Sequence, residues 1–144
     1  IHRVVTNLPP ALLEEGRLLA DWKEYAAAHR LPGAEAQSFT LIEEGRESAV
    51  TLQDPSGPIP AATLQSWLDD FLARCPEAEI DYIHGDDVVR RLAAAPGVAG
   101  FLLPPLDKST FFDAIQALGI LPRKTFSMGH AHEKRCYMEC RAIR

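Results

Sequence analysis

With 144 residues, the chain is long enough for one domain that buries a core without disulfides or metals. Its composition, 47% hydrophobic and 24% charged, is that of a soluble globular protein, and three cysteines without disulfide-framework spacing favour a cytoplasmic location. No apolar run is long enough for a membrane helix, and the net charge of −5 without a basic helix or aromatic platform disfavours nucleic acid as a partner.

The first half of the chain is predicted to contain a strand, a helix and a hairpin. Residues 1–6 are rich in β-branched side chains and predict a strand. An apolar spacing of three and four residues over 11–29 predicts a helix. Two alternating runs, 38–43 and 48–52, flank a turn that contains Gly45, which is typical of a β-hairpin.

The second half is predicted to alternate between helices and strands. A helix at 61–75 carries an amphipathic stripe that we assign to the core, formed by Leu64, Trp67, Leu68, Phe71 and Leu72. The remaining elements are predicted as strands 79–83, 98–103 and 136–143 and helices 87–95 and 109–118. This alternation predicts some parallel pairing with right-handed crossovers. The predicted fold class is therefore α+β (mixed α/β), a single compact domain with helices packed on a mixed sheet.

The chain begins without Met, inside a strand-like apolar run. We therefore expect residues 1–144 to form a single domain at the C-terminal end of a longer protein. The upstream half of that protein is then an expected partner of this domain.

The turn Gly85-Asp86-Asp87 lies where a predicted strand leads into a helix, directly after His84. The ends of such strands hold ligands in open α/β sheets. His84 and Asp86 are therefore candidate catalytic residues that would act as an acid–base pair. In the alternative interpretation Asp86 caps the helix, Asp87 complements its dipole and His84 is a turn residue.

The segment Asp107-Lys-Ser-Thr110 occupies the equivalent position before the next predicted helix. A helix N-terminus with free N–H groups, hydroxyls and a Lys can bind an anion, so Lys108 and Ser109 are candidate ligand-binding residues. The segment lacks a glycine-rich phosphate loop. The alternative is a purely local role, with Asp107 as the N-cap of the helix.

Residues 121–135 form a basic loop that has neither a helical nor a strand-like apolar period. Residues 121–144 contain six Lys or Arg and two Glu, whereas the rest of the chain contains nine basic and eighteen acidic side chains. A long loop without a period is often functional. A basic loop on an acidic protein indicates either an anionic ligand or a partner surface.

Four side chains of this loop are candidate ligand-binding residues. Arg123 and Lys124 would supply positive charge to a phosphate or carboxylate. Thr125 and Ser127 would supply neutral hydrogen bonds. The alternative is a solvated loop or a self-association contact, which includes a homodimer.

Four potential zinc ligands lie close together in sequence, His130, His132, Cys136 and Cys140. On a strand the two cysteines would lie roughly 13 Å apart, too far for one tetrahedral ion. We therefore predict no metal site, and a site made from one Cys with one or both His is the remaining alternative.

A family resemblance is carried by four stretches, which are Ile1-His-Arg-Val-Val5, Phe101-Leu-Leu-Pro-Pro-Leu-Asp-Lys-Ser109, Leu121-Pro-Arg-Lys-Thr-Phe-Ser-Met-Gly129 and Glu133-Lys-Arg-Cys-Tyr-Met-Glu-Cys-Arg-Ala-Ile143. Together they resemble the C-terminal half of the domain of unknown function 1015 family. The resemblance implies a bacterial or archaeal cytosolic protein. It also implies an upstream Gly-His-His-Arg-type stretch, which is similar to the ligand-binding motif of ParB and sulfiredoxin-like proteins, some of which bind nucleotide. Within this chain the family pattern points to Arg123, Lys124, Thr125 and Ser127.

These observations favour a domain that contributes a basic loop to an anionic small-molecule site, for phosphate or a nucleotide, completed by upstream residues. Arg123 and Lys124 would hold the charge, and His84 or Asp86 would transfer a proton. The alternative is a non-catalytic interaction or dimerisation module in which the same loop contacts a partner. The sequence specifies neither a reaction nor a cofactor.

Overall fold

The computed structural model describes residues 1–126. In chain order, the elements are β1 (His2–Thr6), α1 (Arg17–Ala28), β2 (Gln37–Glu43), β3 (Arg46–Leu52), α2 (Pro60–Arg74), β4 (Glu79–Ile83), α3 (Asp86–Leu92), β5 (Ala99–Leu102) and α4 (Phe111–Leu118). Within this range, no helix is both long and apolar enough to cross a membrane. The strand predicted at 136–143 lies outside the described residues.

The five strands form one antiparallel sheet in the order β3-β2-β5-β1-β4. Together with the helices, this sheet confirms the predicted α+β fold class. The predicted parallel pairing and mixed sheet are wrong, because each pairing among the described strands is antiparallel. β4 and β5 do run in the same direction on either side of α3, but β1 lies between them and runs the opposite way. The sequence of the β4–α3–β5 unit does not indicate that another strand separates β4 from β5, because β1 comes from the start of the chain.

β2 and β3 form the predicted hairpin, with a turn of two residues, Glu44 and Gly45. Both turn residues have positive φ, +49° and +76°. This is the type I′ geometry that matches the twist of antiparallel strands, and glycine adopts it without strain. The register pairs Glu43 with Arg46 beside the turn.

α1 and α2 cover one face of the sheet and bury an aromatic cluster. The indole of Trp22 stacks on that of Trp67 with ring centroids 5.4 Å apart, and neither side chain is exposed. Phe39 and Phe101 contact these indoles from the sheet. Burying each such side chain stabilises the fold by about 1.5–3 kcal/mol. The core stripe predicted on α2 is confirmed, since Leu64, Trp67, Leu68 and Phe71 are buried and Leu72 packs against them.

A polar clamp joins α1 to α2 at the rim of this core. Asp21 Oδ2 accepts hydrogen bonds from Trp67 Nε1 and Arg74 Nη2, each at 2.8 Å, and its Oδ1 accepts one from Arg74 Nη1 at 2.9 Å. The hydrogen bonds from Arg74 and Trp67 lower the pKa of Asp21, against the effect of burial. The carboxylate is therefore charged at neutral pH and fixes the two helices relative to one another.

α3 packs on the opposite face of the sheet, where Gly100 allows a close approach. Val89 and Ala93 are buried in a second apolar cluster with side chains of β1, β2 and β5. A Cβ added to Gly100 would lie 2.7 Å from Val89 Cγ1 and 2.9 Å from Ala93 Cβ. The glycine is therefore required by the packing of α3 rather than by a turn.

Two predicted helices begin later than expected. The helix predicted at 11–29 is divided into a short 3-10 helix, Pro10–Leu12, and α1. Gly16, with φ of +76°, precedes α1 in a left-handed conformation that interrupts the helical path. The helix predicted at 109–118 begins at Phe111.

We predict that Gly100→Ala lowers the free energy of unfolding by about 1–3 kcal/mol, the usual cost of overpacking a dense core. Urea denaturation followed by circular dichroism measures this change. Val89→Ala in the same background removes the nearer contact, so the combined loss should be smaller than the sum of the two single losses. Strict additivity of the two substitutions would contradict the close approach.

Candidate ligand-binding site

A trough of about 450 Å³ lies between α4 and the chain that returns from it. Its walls are largely apolar and include Phe111, Ile115 and Phe126. The rings of Phe111 and Phe126 are 5.8 Å apart. Lys124 and Thr125 also line the trough, so an aromatic wall and a cation share one surface.

A buried arginine holds the loop that forms one side of this trough. Arg3 lies in β1 and is 0% exposed. Its Nη1 donates to the carbonyl oxygen of Lys124 at 3.3 Å and its Nη2 to that of Arg123 at 3.2 Å. Lys124 has a φ of +56°, the left-handed conformation that non-glycine residues rarely adopt. The loop thus presents main-chain carbonyls to Arg3, while residues 123 and 124 are exposed.

Within residues 1–126, no carboxylate contacts Arg3 directly, and its charge is balanced by other groups. Its Nε donates to Gln65 Oε1 at 3.2 Å, and its guanidinium lies 4.6 Å from the centroid of the Tyr82 ring. Gln65 Nε2 donates in turn to Asp69 Oδ1 at 2.8 Å. Burial lowers the pKa of Arg3, whereas Tyr82 and Asp69 raise it. Arginine nevertheless stays protonated in proteins, so carbonyl dipoles and a π face replace the water that burial removes.

His2 makes a second set of contacts with this part of the chain. Its Nδ1 accepts a hydrogen bond from the backbone N–H of Leu103 at 3.0 Å, and its Nε2 lies 2.9 Å from Asp86 Oδ1. An accepting Nδ1 requires the neutral tautomer with its proton on Nε2, which then donates to Asp86. Burial lowers the pKa of His2, and the charge of Asp86 opposes this shift. Both ring nitrogens are therefore engaged, and protonation of His2 would remove the acceptor of Leu103.

The candidate catalytic residue Asp86 thus contacts His2, a residue that sequence reasoning did not consider. Asp86 is the first residue of α3, and Gly85 holds the N-cap position without a side-chain hydrogen bond. The capping role considered for Asp86 is therefore wrong, because its carboxylate points to His2 instead. Its other oxygen lies 3.8 Å from Arg90 Nη1. His84 is exposed directly before this turn, and its charge helps to lower the pKa of His2.

Asp107 forms a local turn rather than the predicted helix cap. Its Oδ1 accepts hydrogen bonds from the backbone N–H of Ser109 at 2.8 Å and from the hydroxyl of Ser109 at 2.7 Å, which lower the pKa of Asp107. Thr110 holds the N-cap position of α4. The Ser109 hydroxyl donates within the turn, whereas Lys108 is exposed and forms no ion pair with a described residue.

The basic loop is described as far as Phe126. Arg123 and Lys124 are exposed, and neither side chain forms an ion pair within residues 1–126. The hydroxyl of Thr125 donates to the carbonyl oxygen of Pro122, so it serves the loop itself. Ser127 and the four residues considered for zinc, His130, His132, Cys136 and Cys140, lie outside the described residues. In the part that is described, no group of three or more His, Cys, Asp or Glu is arranged to hold a metal ion.

A larger cleft, of about 630 Å³, runs along a different set of α4 positions. Its lining includes the carboxylates of Glu35, Asp107 and Asp113 but no Lys, Arg or His of the described residues. Such a lining repels anions. The trough beside Lys124 is therefore the better electrostatic environment for the predicted anion.

Sequence reasoning missed Arg3, which holds the basic loop, and His2, which holds the end of β5. Arg3 and Val5 lie two positions apart in β1, so they point to the same face of the sheet, and both are buried. A charged residue at a core position of a strand is a signal that was present in the sequence. The acceptors of Arg3 lie more than a hundred residues away, at Arg123 and Lys124, and no local pattern indicates them.

No protein-family model, curated protein or solved structure matches this chain. The resemblance to the domain of unknown function 1015 family therefore stays a prediction. The trough and its contacts with β1 are the observations that bear on function.

We predict that protein stability decreases as the pH is lowered from about 7.5 to about 5, because a neutral His2 is required for the hydrogen bond from Leu103. The pKa of His2 in the folded protein lies below its value of about 6.5 in an unfolded chain. The unfolded state therefore takes up the proton first, and stability is lost as the pH falls through the unfolded pKa toward the folded one. Urea denaturation across this pH range should show a loss of about 1 kcal/mol, the contribution of one hydrogen bond.

His2→Asn is the matched control for this prediction. An asparagine amide oxygen is an acceptor at a position similar to that of Nδ1, and it does not titrate. The free energy of unfolding of this variant should depend less on pH than that of the parent. Superimposable pH profiles would show that His2 does not carry the effect.

Proposed function

We propose that this protein binds an anionic small molecule with an aromatic part, of the nucleotide class, in the trough beside α4. The observation that supports this most is the presence of Phe111, Phe126 and Lys124 in the lining of one trough. An aromatic ligand group would stack on a phenyl ring, and a phosphate would pair with the ammonium group.

The size and exposure of the trough agree with this class of ligand. Its volume of about 450 Å³ is within the range of small-molecule sites. Phe126 is 47% exposed, so its ring is accessible to a ligand. Arg123 is exposed beside Lys124 and supplies a second cation.

The proposed activity is binding and includes no chemical step. Asp86 is hydrogen-bonded to His2, and no proton transfer is assigned to it or to His84. Among the hydroxyls predicted to bind the ligand, that of Thr125 donates to a carbonyl within the loop. Ser127 lies outside the described residues, and its role as a hydrogen-bond donor stays a prediction from the sequence.

We further propose that this domain acts in the cytoplasm, within a longer bacterial or archaeal protein of the domain of unknown function 1015 family. The quoted stretches at 101–109 and 121–129 support the family, and the three cysteines support the location.

Calorimetric titration of the full chain with ATP and with inorganic phosphate tests the proposed binding. Lys124→Ala should weaken ATP binding about tenfold or more, because a charge-assisted hydrogen bond contributes about 1.5–3 kcal/mol. Phe126→Ala should weaken ATP binding while leaving phosphate binding unchanged.

Lys23→Ala is the control, since Lys23 is an exposed lysine of α1 that does not line the trough. This variant should bind ATP as the parent does. Absence of ATP binding to the parent, or equal losses in Lys23→Ala and Lys124→Ala, would refute the proposal.

Self-association is a second candidate function, favoured by the apolar surface around α4. Ile120 is 87% exposed and Phe112 is 71% exposed, and Leu118 adds a third apolar side chain. Large exposed apolar side chains this close together in the chain are typical of contact surfaces between proteins. A second copy of the chain would cover them, with the basic loop at the rim.

Sedimentation velocity of the full chain tests this second function. If the surface joins two copies, Ile120→Asp should convert a dimer into a monomer, because a buried unpaired carboxylate costs several kcal/mol. Leu92→Asp is the control, since Leu92 is a partly exposed apolar residue of α3. A parent protein that sediments as a monomer would exclude self-association.

A further inference from the structure

We propose that His2 and Arg3 are positioning residues of the trough, because these two consecutive residues of β1 fasten both ends of residues 103–124 to the sheet. We call this segment the α4 excursion and the two residues the β1 clip. The inference rests on the proposed binding function of the trough.

The first end of the α4 excursion is held by a side-chain acceptor. Leu103 directly follows β5, and its N–H donates to Nδ1 of His2 at 3.0 Å. The other nitrogen of His2 is fixed by Asp86, at the start of α3. The imidazole therefore has one orientation, in which its acceptor faces the point where the chain leaves the sheet.

The second end of the α4 excursion is held by side-chain donors. Arg3 donates to the carbonyl oxygens of Arg123 and Lys124 from two different nitrogens, and its Nε is fixed by Gln65 on α2. Successive residues of a strand point to opposite faces of the sheet. His2 accordingly reaches α3 on one face and Arg3 reaches α2 on the other.

Between these two ends, the α4 excursion has little buried surface of its own. Ala114 is the buried residue of α4, and it packs with Ile59, Ala61 and Ala62 at the start of α2. The other apolar residues of the excursion that pack against this cluster are only partly buried, namely Leu103, Leu106 and Leu121. Phe112 and Leu118 are exposed. A segment with few buried apolar contacts opens locally at low free energy, so its placement depends on the clip.

The clip determines which groups of the loop reach the ligand. Arg3 binds main-chain oxygens of residues 123 and 124 and leaves their side chains at the surface. Release of these oxygens would free the left-handed backbone of Lys124 and separate its ammonium from the phenyl rings of the trough. Arg3 therefore acts through Lys124 and does not itself contact the ligand.

Protonation of His2 breaks its hydrogen bond with Leu103 and leaves the contacts of Arg3 in place. The charged or titratable groups around His2 are Asp86 of α3, which favours its protonation, and His84 and the amino group of Ile1, which oppose it. Arg90 lies 3.8 Å from the second oxygen of Asp86 and moderates its charge. A protonated His2 carries a hydrogen on Nδ1 and faces the Leu103 N–H as a second donor, so that end is released while Arg3 still holds the other.

Hydrogen–deuterium exchange of the full chain, read by mass spectrometry, tests the clip without reference to any ligand. Arg3→Met should accelerate exchange of the amides of 111–126 at least about tenfold and leave the β2–β3 hairpin unchanged. Arg74→Met is the control, because it breaks the Asp21 clamp and should accelerate exchange in α1 and α2 instead. Equal acceleration throughout the chain in Arg3→Met, or no acceleration at 111–126, would overturn the proposal.

A pair of His2 variants tests the other end. His2→Leu removes the acceptor and should accelerate exchange at 103–118 at every pH. His2→Asn retains an acceptor that does not titrate, so its protection should persist at about pH 5, where the parent loses it. Identical behaviour of the two variants would overturn the role of His2. If Arg3→Met does not fold, Arg3→Lys takes its place, since an ammonium lacks the planar fork of donors and should release the loop in part.

Calorimetric titration with ATP links the clip to the trough. Arg3→Met should bind ATP at least about tenfold more weakly than the parent, whereas Arg74→Met should bind it equally well. A parent that binds no ATP, together with local exchange in Arg3→Met, would refute the binding function and leave the clip in place. ATP binding that is the same in Arg3→Met and the parent would refute the positioning role while the binding function stands.

Discussion

The described structure depends on the burial of one guanidinium group, that of Arg3. A charge without access to water has to be surrounded by acceptors, and an uncompensated buried charge costs several kcal/mol. Arg3 finds its acceptors in the carbonyl of Ile1 directly before β1, in Gln65 of α2 and in the carbonyls of Arg123 and Lys124. These groups come from the beginning, the middle and the end of the described chain. One side chain can be satisfied only when all three segments have assembled, so the basic loop is fixed by the interior of the protein rather than by surface contacts.

The position of β1 in the sheet makes this arrangement possible. β1 lies between β4 and β5 and pairs with both, so it is an interior strand with packed elements on each of its faces. On one face it meets the aromatic core beneath α1 and α2, and on the other it meets α3.

Sequence patterns predicted the individual elements well, because each depends on neighbours in the chain. The core stripe of α2 follows from helical spacing, and the hairpin follows from alternation around Gly45. The parallel pairing was wrong because the strand that separates β4 from β5 is distant in sequence. The basic loop was identified from its charge, but its geometry depends on Arg3, which belongs to an apolar run at the other end of the chain. Asp86 was identified from its place at the start of a helix. Its partner His2 could not be recognised, because the two residues are distant in sequence.

The aromatic core also determines what intrinsic fluorescence can report. The chain contains two tryptophans, and both belong to the stacked cluster beneath α1 and α2. Their emission therefore follows the integrity of that layer. α4 carries phenylalanines but no indole, so it can detach from the sheet while the emission of the protein stays native. A melting curve from tryptophan emission would describe the layer of α1, α2 and the sheet strands they contact, and it would not report on α4.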